Sequence, residues 1–243
     1  MEDLNDNSQS AFRAILDRES RMRRLEHIYM TDHFYCGLDL GQAQDYTAIC
    51  IARDTHVAET LHIVHLERFP LGTIYPDIVR RVKSLLQTPR LKGKATLIVD
   101  YTGCGRPVVD MIRDQGLQCK AISITSGNKV NQETDAKGRL IDNWTVPKVD
   151  LVSCLQVLMQ NKRLEIASGL KDGPILAQEL KSFKAKISTS GHTSFESSGD
   201  WRESDHDDLV LAAALACWYA TKRPELKISN RNVQILRAMT SFH

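Results

Sequence analysis

The sequence has no long hydrophobic run, no closely spaced cysteine pair and almost no net charge. Its longest apolar run is too short to cross a bilayer, and its acidic N-terminus has no apolar signal core, so we expect a cytoplasmic protein without membrane contact. None of the six cysteines forms a C-x-x-C motif, which argues against zinc or disulfides and predicts buried free thiols. A net charge of +2 excludes a strongly basic protein, so any nucleic-acid contact must come from a local patch.

What the chain does contain is typical of a globular α/β domain. It has 243 residues, 42% hydrophobic and 26% charged, which suits one domain with a sizeable core. Three strand-like segments joined by short turns come first, at residues 34–39, 46–53 and 60–69. Predicted helices and apolar strands then alternate, at residues 74–86, 95–100, 106–115 and 118–124. Short turns favour antiparallel pairing and helical crossovers favour parallel pairing, so we expect a mixed sheet flanked by helices.

Three regions are predicted along the chain. They are a helical N-terminal extension, the α/β domain and a basic tail, at residues 1–32, 33–222 and 223–243. Within the second half of the domain we predict a polar loop, a helix, a short strand, a helix, a hairpin and a very apolar last helix. These lie at residues 126–143, 147–161, 163–167, 171–183, 184–196 and 205–221.

The first candidate site residue is Asp39, at the end of the first predicted strand. A strand that ends in an acid before a tight turn presents the carboxylate at the rim of the sheet. Asp45 begins the return strand and could face the same cavity. Both residues could also be simple turn formers, because Asp is common in turns.

A second carboxylate, Asp100, directly follows an apolar run. Open α/β sheets place their ligands at the carboxyl ends of such buried strands. Gly103 and Gly105 then lead into a helix. They could cradle a phosphate at the helix N-terminus, or they could be only a flexible turn.

The third group of acids opens the last helix. Asp207 and Asp208 precede an alanine-rich face, which allows close packing of this helix on the sheet. The helix dipole favours acids in a first turn, so capping is the alternative explanation. His206 could act as a base or only as a cap. With Asp205, three acids and a histidine stand here, which exceeds what capping needs, and close packing would bring them to the other carboxylates.

Together the three groups predict a divalent metal site. Clustered carboxylates repel each other unless cations neutralise them, and ligands made only of oxygen favour Mg²⁺ or Mn²⁺ over zinc. Two such ions about 4 Å apart can cleave a phosphodiester.

The motifs around these acids resemble the C-terminal nuclease domain of phage terminase large subunits. They are Gly37-Leu38-Asp39-Leu40-Gly41, Val99-Asp100-Tyr101-Thr102-Gly103 and His206-Asp207-Asp208-Leu209-Val210. The resemblance implies a ribonuclease H-like fold and endonucleolytic cleavage of double-stranded DNA with two Mg²⁺ or Mn²⁺ ions. It implies that Asp39, Asp100 and Asp208 are the catalytic metal ligands, with Asp45 and Asp207 as supplementary acids.

One feature departs from that family. The chain has no G-x-x-x-x-G-K-[ST] loop, so we expect a nuclease without the packaging ATPase, encoded by a phage or prophage in a bacterial host. It would act alone or with a separate ATPase or portal. Two alternatives stay open: an actin-like or sugar-kinase-like ATP-binding domain, and an inactive DNA-binding scaffold.

Basic and aromatic residues in the polar loops are candidates for contact with DNA. Contacts to DNA phosphates do not depend on the base sequence, and they weaken as the salt concentration rises. The candidates are Lys129, Arg139, Lys148, Trp201 and Arg202.

Overall fold

The computed structural model describes residues 32–41, 45–55, 60–103, 105–189 and 207–222, without the side chains of 183–189. The predicted N-terminal helix and the basic tail lie outside the described residues. So do three of the candidate site residues, Trp201, Arg202 and His206.

The described chain forms one eight-stranded mixed sheet. Its strands are β1 (His33–Asp39), β2 (Ala48–Asp54), β3 (Leu61–Arg68), β4 (Ala95–Asp100), β5 (Cys119–Thr125), β6 (Asn131–Thr134), β7 (Leu140–Pro147) and β8 (Leu164–Ile166). Their order is β6-β7-β5-β4-β1-β2-β3-β8. The first three strands are antiparallel, whereas β4, β5 and β7 run parallel to β1. Three antiparallel strands followed by parallel strands beside β1 confirm the predicted ribonuclease H-like sheet.

Helices cover both faces of this sheet. They are α1 (Tyr75–Leu86), α2 (Gly105–Asp114), α3 (Lys148–Gln160), α4 (Gly173–Thr189) and α5 (Asp208–Thr221). One core lies under α1 and α2, and the other lies under α3, α4 and α5. In β1 the side chains of Phe34, Cys36 and Leu38 enter the first core, and Tyr35 enters the second, as the alternation of a strand requires.

Two of the predicted segments are wrong. The loop predicted at 126–143 contains β6 and the first half of β7, which form a hairpin around Gly138, whose φ is +74°. All four residues of β6 are polar because it is the outermost strand, and most of β7 is not fully buried. The hairpin predicted at 184–196 is wrong as far as residue 189, because α4 continues to that point.

No described helix is long and apolar enough to cross a membrane. The cysteines in the described ranges are free thiols. Cys154 is half-buried, and the other four are buried: Cys36, Cys50, Cys119 and Cys217.

The last helix, α5, lies unusually close to β1. It is almost entirely buried, and small residues line much of it. A Cβ built on Gly37 would lie 2.0 Å from the carbonyl oxygen of Ala212 and 2.8 Å from the amide nitrogen of Ala216. Only glycine fits such a contact between strand and helix backbones. The contact fixes the position of α5, whose N-terminus carries the third group of acids.

Candidate active site

Asp39 and Asp100 end two neighbouring parallel strands. Leu38 of β1 pairs with Val99 of β4, so the next residue of each strand lies at the same end of the sheet, which we call the acidic rim. In the sheet, β2 lies on one side of β1 and β4 lies on its other side, so the chain leaves β1 on one side and later returns on the other. The acidic rim is therefore the switch point where open α/β sheets bind ligands. Asp39 is buried there, with 6% of its surface exposed.

The two carboxyl groups are in direct contact. Burial raises the pKa of Asp39 well above its ordinary value, and the negative charges of Asp100, Asp208 and Asp207 raise it further. Burial also raises the pKa of Asp100, opposed by hydrogen bonds from Thr102 and Asp39. The backbone N–H of Thr102 donates to Asp100 Oδ1 at 2.8 Å. Without a cation, the charged form of Asp39 is therefore unfavourable.

The acids at the start of α5 do not cap their own helix. Asp207 occupies the N-cap position, but its side chain makes no capping hydrogen bond. Its Oδ2 instead accepts a hydrogen bond from Lys148 Nζ at 2.7 Å. Asp208 is buried, and its Oδ2 lies 3.3 Å from Nη2 of Arg68. The capping explanation from sequence is thus wrong for the side chain of Asp207.

A glutamate from another helix takes over the capping. Glu179 of α4 is buried, and its Oε2 accepts a hydrogen bond from the backbone N–H of Val210 at 3.0 Å. Its Oε1 accepts a hydrogen bond from Arg68. Sequence reasoning missed both residues because their contact joins positions 111 residues apart, and neither stands in a motif.

Glu179 is also electrostatically unusual. Burial raises its pKa to about 7, and the charges of Asp208 and Asp207 add to this rise, whereas Val210 and Arg68 oppose it. The acidic rim therefore holds Asp39, Asp100 and Glu179, each with a raised pKa, beside Asp207 and Asp208.

The chemistry of these side chains fits Mg²⁺ or Mn²⁺, because every donor is a carboxylate oxygen. Within the described part of the chain, no group of three or more His, Cys, Asp or Glu side chains already has the spacing of a metal centre. Three of the acids have a donor or a cation of the protein beside them: Thr102 N–H beside Asp100, Lys148 beside Asp207 and Arg68 beside Asp208.

The remaining predicted site residues lie at different distances from the acidic rim. Asp45 is exposed in the connection between β1 and β2, and its role as an additional ligand stays a prediction. Lys148 directly contacts the acids, and its charge lowers the pKa of Asp39 and Asp100. Lys129 is exposed in the segment after β5, whose end pairs with Pro147 beside Lys148, so it lies at the same end of the sheet.

Arg139 lies at the opposite end of the sheet. It precedes β7, and the seven steps from Leu140 to Pro147 place the two ends of that strand roughly 23 Å apart. Its guanidinium is paired with Asp135 at 2.7 Å in the hairpin turn. The structure therefore places Arg139 far from the acids, because the polar segment that contains it is a hairpin that leads away from them.

The raised pKa values predict how stability depends on pH without metal. The folded protein keeps a proton on Glu179 that the unfolded chain has already released between about pH 4.5 and 7, and the raised pKa of Asp39 and Asp100 acts in the same direction. This stabilisation is complete below the unfolded pKa and is lost as the pH rises through the folded pKa. In EDTA, the melting temperature is therefore expected to fall between pH 5 and pH 8. Glu179 alone accounts for a change on the order of 2 kcal/mol, after allowance for partial screening by solvent.

Thermal denaturation followed by circular dichroism measures this dependence. Glu179→Gln keeps an acceptor oxygen for the Val210 N–H and removes the titration, so it should flatten the curve. A melting temperature that rises steadily over the same pH range would contradict the expectation.

Comparisons with known proteins give likenesses of structure only. No protein-family model matches the chain, and no curated protein sequence matches it. The large terminase nuclease from thermophilic phage G20c is 21% identical, with 76% of this chain and 81% of that chain covered and a TM-score of 0.47. The Mn-soaked human cytomegalovirus terminase nuclease domain is 12% identical, with 82% of this chain and 88% of that chain covered and a TM-score of 0.46.

A third similar structure is T. thermophilus RuvC in complex with a Holliday junction substrate. It is 12% identical, with 78% of this chain and 95% of that chain covered and a TM-score of 0.39. At these identities and TM-scores, the likenesses assign no activity to this chain.

Proposed function

We propose that this protein is a divalent-metal-dependent endonuclease that hydrolyses phosphodiester bonds of double-stranded DNA. The observation that supports it is the meeting of acids from β1, β4 and the start of α5 at the acidic rim. Side-chain capping does not explain Asp207, because Glu179 accepts the Val210 N–H of that helix and Asp207 makes no capping hydrogen bond. Buried acids that raise one another's pKa are costly without a cation, which is the usual mark of a functional site.

In this proposal Asp39, Asp100 and Asp208 hold two Mg²⁺ or Mn²⁺ ions, with Asp207 and Asp45 as supplementary ligands. Such ions, when bound, lower the pKa of a water molecule and stabilise the oxygen that leaves the phosphate. A bound cation would favour the charged form of Asp39, which burial and the neighbouring acids otherwise disfavour. His206 remains a proposed proton-transfer residue outside the described residues.

Basic residues at the same end of the sheet would hold the DNA. Lys148 begins α3 next to the acids, and Lys129 lies exposed in the neighbouring segment. Arg106, which the sequence analysis did not single out, is exposed at the start of α2, with its guanidinium 5.3 Å from the ring centre of Tyr101. Trp201 and Arg202 stay proposed contacts outside the described residues. A sparse set of cations around an acidic site suits a polyanion held by its phosphates.

Incubation of the purified protein with supercoiled plasmid tests the proposal directly. With Mn²⁺ we expect nicked and then linear DNA, and with EDTA we expect intact plasmid. Failure to cut with either Mn²⁺ or Mg²⁺, while DNA is still bound, would favour an inactive scaffold. A rise in melting temperature with ATP and no cleavage would favour the actin-like alternative.

The DNA contact predicts a specific dependence on salt. Lys129→Ala removes one cation from the proposed face, so the slope of log affinity against log salt should become shallower by about 1. Arg139→Ala is the matched control, because it removes an exposed arginine from the opposite end of the sheet. Binding to a short duplex measured by fluorescence anisotropy gives both slopes, and equal slopes for the two variants would reject the assignment of Lys129.

The resemblance to terminases adds a biological setting to this proposal. The protein would cut DNA for a phage or prophage in a bacterial host, and a separate packaging ATPase or portal would be its partner. Co-purification of such a partner from an expressing host is the observation that would support this setting.

A further inference from the structure

Arg68 lies at the acidic rim although no motif marks it. Asp39 pairs with Ala48 across β1 and β2, and Ala48 pairs with Arg68 across β2 and β3. Arg68 is therefore in line with Asp39, at the carboxyl end of a strand that runs parallel to β1. Its side chain is largely buried.

Several contacts anchor Arg68. Its backbone N–H donates to Asp172 Oδ2 at 3.0 Å, and its guanidinium lies 4.7 Å from the ring centre of Tyr46. Its Nη2 donates to Glu179 Oε1. An arginine held in this way has little freedom to move, and it keeps its charge at any working pH.

Glu179 connects this arginine to the helix that carries Asp208. One oxygen of Glu179 binds Arg68, and the other accepts the N–H of Val210 in the first turn of α5. The pair therefore fixes both the helix terminus and the guanidinium that faces its acid. Nη2 of Arg68 then lies 3.3 Å from Oδ2 of Asp208.

We propose that Arg68 and Glu179 are positioning residues that hold the Asp208 carboxylate in place for a divalent cation. Arg68 lies at ion-pair distance from one oxygen of Asp208, without a hydrogen bond to it, and its charge favours this orientation of the carboxylate before a cation arrives. A ligand that is already oriented loses less side-chain entropy on binding, and partners of this kind typically change metal affinity or activity by about 10–100-fold. This inference rests on the proposed metal-dependent function and adds two residues to its site.

Binding of Mn²⁺ to the full chain, followed by the electron paramagnetic resonance signal of free Mn²⁺, tests the inference without any cleavage assay. Arg68→Ala is expected to weaken Mn²⁺ binding by about 10–100-fold. Arg68→Lys keeps the charge but not the planar fork, so it should restore part of the affinity. Glu179→Gln should also weaken binding, because it keeps the acceptor for Val210 but removes the charged anchor of Arg68.

Arg81→Ala is the matched control, because Arg81 forms a similar arginine–glutamate pair with Glu67 on the surface. Its Mn²⁺ affinity should equal that of the unaltered protein. If Arg68→Ala does not fold, Arg68→Lys and Glu179→Gln carry the test. Unchanged affinity in folded Arg68 and Glu179 variants would overturn this inference alone, whereas no Mn²⁺ binding by the unaltered protein would overturn the proposed function as well.

Discussion

Replacement of Asp39 by asparagine is expected to reduce Mn²⁺-dependent plasmid cleavage by at least about 100-fold, because even residues that only orient metal ligands typically cost about 10–100-fold. The same variant is expected to melt at a higher temperature than the unaltered protein at pH 8 in EDTA. Asp39 is buried among Asp100, Asp207 and Asp208, and its charged form is therefore unfavourable without a cation. Asparagine keeps nearly the same shape and removes that charge.

A loss of cleavage together with a gain in stability separates a functional acid from a structural one. Asp110→Asn is the control, because Asp110 is an exposed acid on α2 whose ion pair with Arg113 is as long as 4.0 Å. It should change neither quantity. Full cleavage by Asp39→Asn would remove Asp39 from the active site, and a lower melting temperature at pH 8 would show that its charge has a stabilising partner.

Replacement of Gly37 by alanine is expected to destabilise the protein by about 3 kcal/mol or more. Adding volume to a packed core usually costs about 1–3 kcal/mol, and here both obstructing atoms belong to the backbone of α5, so rotation of a side chain cannot relieve the contact. The helix would have to move away from β1. Because Asp208 begins that helix, cleavage should fall as well.

Gly127→Ala is a suitable control for this substitution. A Cβ at Gly127 would meet Thr125 Oγ1 at 3.5 Å, which is an ordinary contact. Its free energy of unfolding in urea should stay within about 0.5 kcal/mol of the unaltered value. A similarly small change for Gly37→Ala would mean that α5 does not lie as close to β1 as described.

The central sheet was predictable from sequence because its strands are apolar or end in clear turns. The run that ends at Asp100 is buried in the middle of the sheet, and such a strand has a continuous apolar pattern. Strands β6 and β7 were not predictable in this way. Their residues are mostly polar because the hairpin lies at the side of the sheet, where hydrogen bonds between backbones, and not buried side chains, define the strand.

The acids of the site were predictable, but their surroundings were not. Asp39 and Asp100 end strands, and Asp208 begins an apolar helix, so local patterns place each of them at an element end. Arg68 and Glu179 stand in no motif of β3 or α4, and only the three-dimensional fold brings them together. Likewise the sequence could not separate Lys129 from Arg139, because the turn of a hairpin sends them to opposite ends of the sheet.

The separation of the acids along the chain has a consequence for the order of events during synthesis. Asp39 lies in the first described strand, whereas Asp208 lies in the last described helix, which docks on that strand. Contacts between such distant segments form late in folding, after the intervening chain is available. Under the proposed function, a ribosome-bound chain that has not yet released α5 would lack the Asp208 carboxylate beside Asp39 and would therefore be unable to cut DNA.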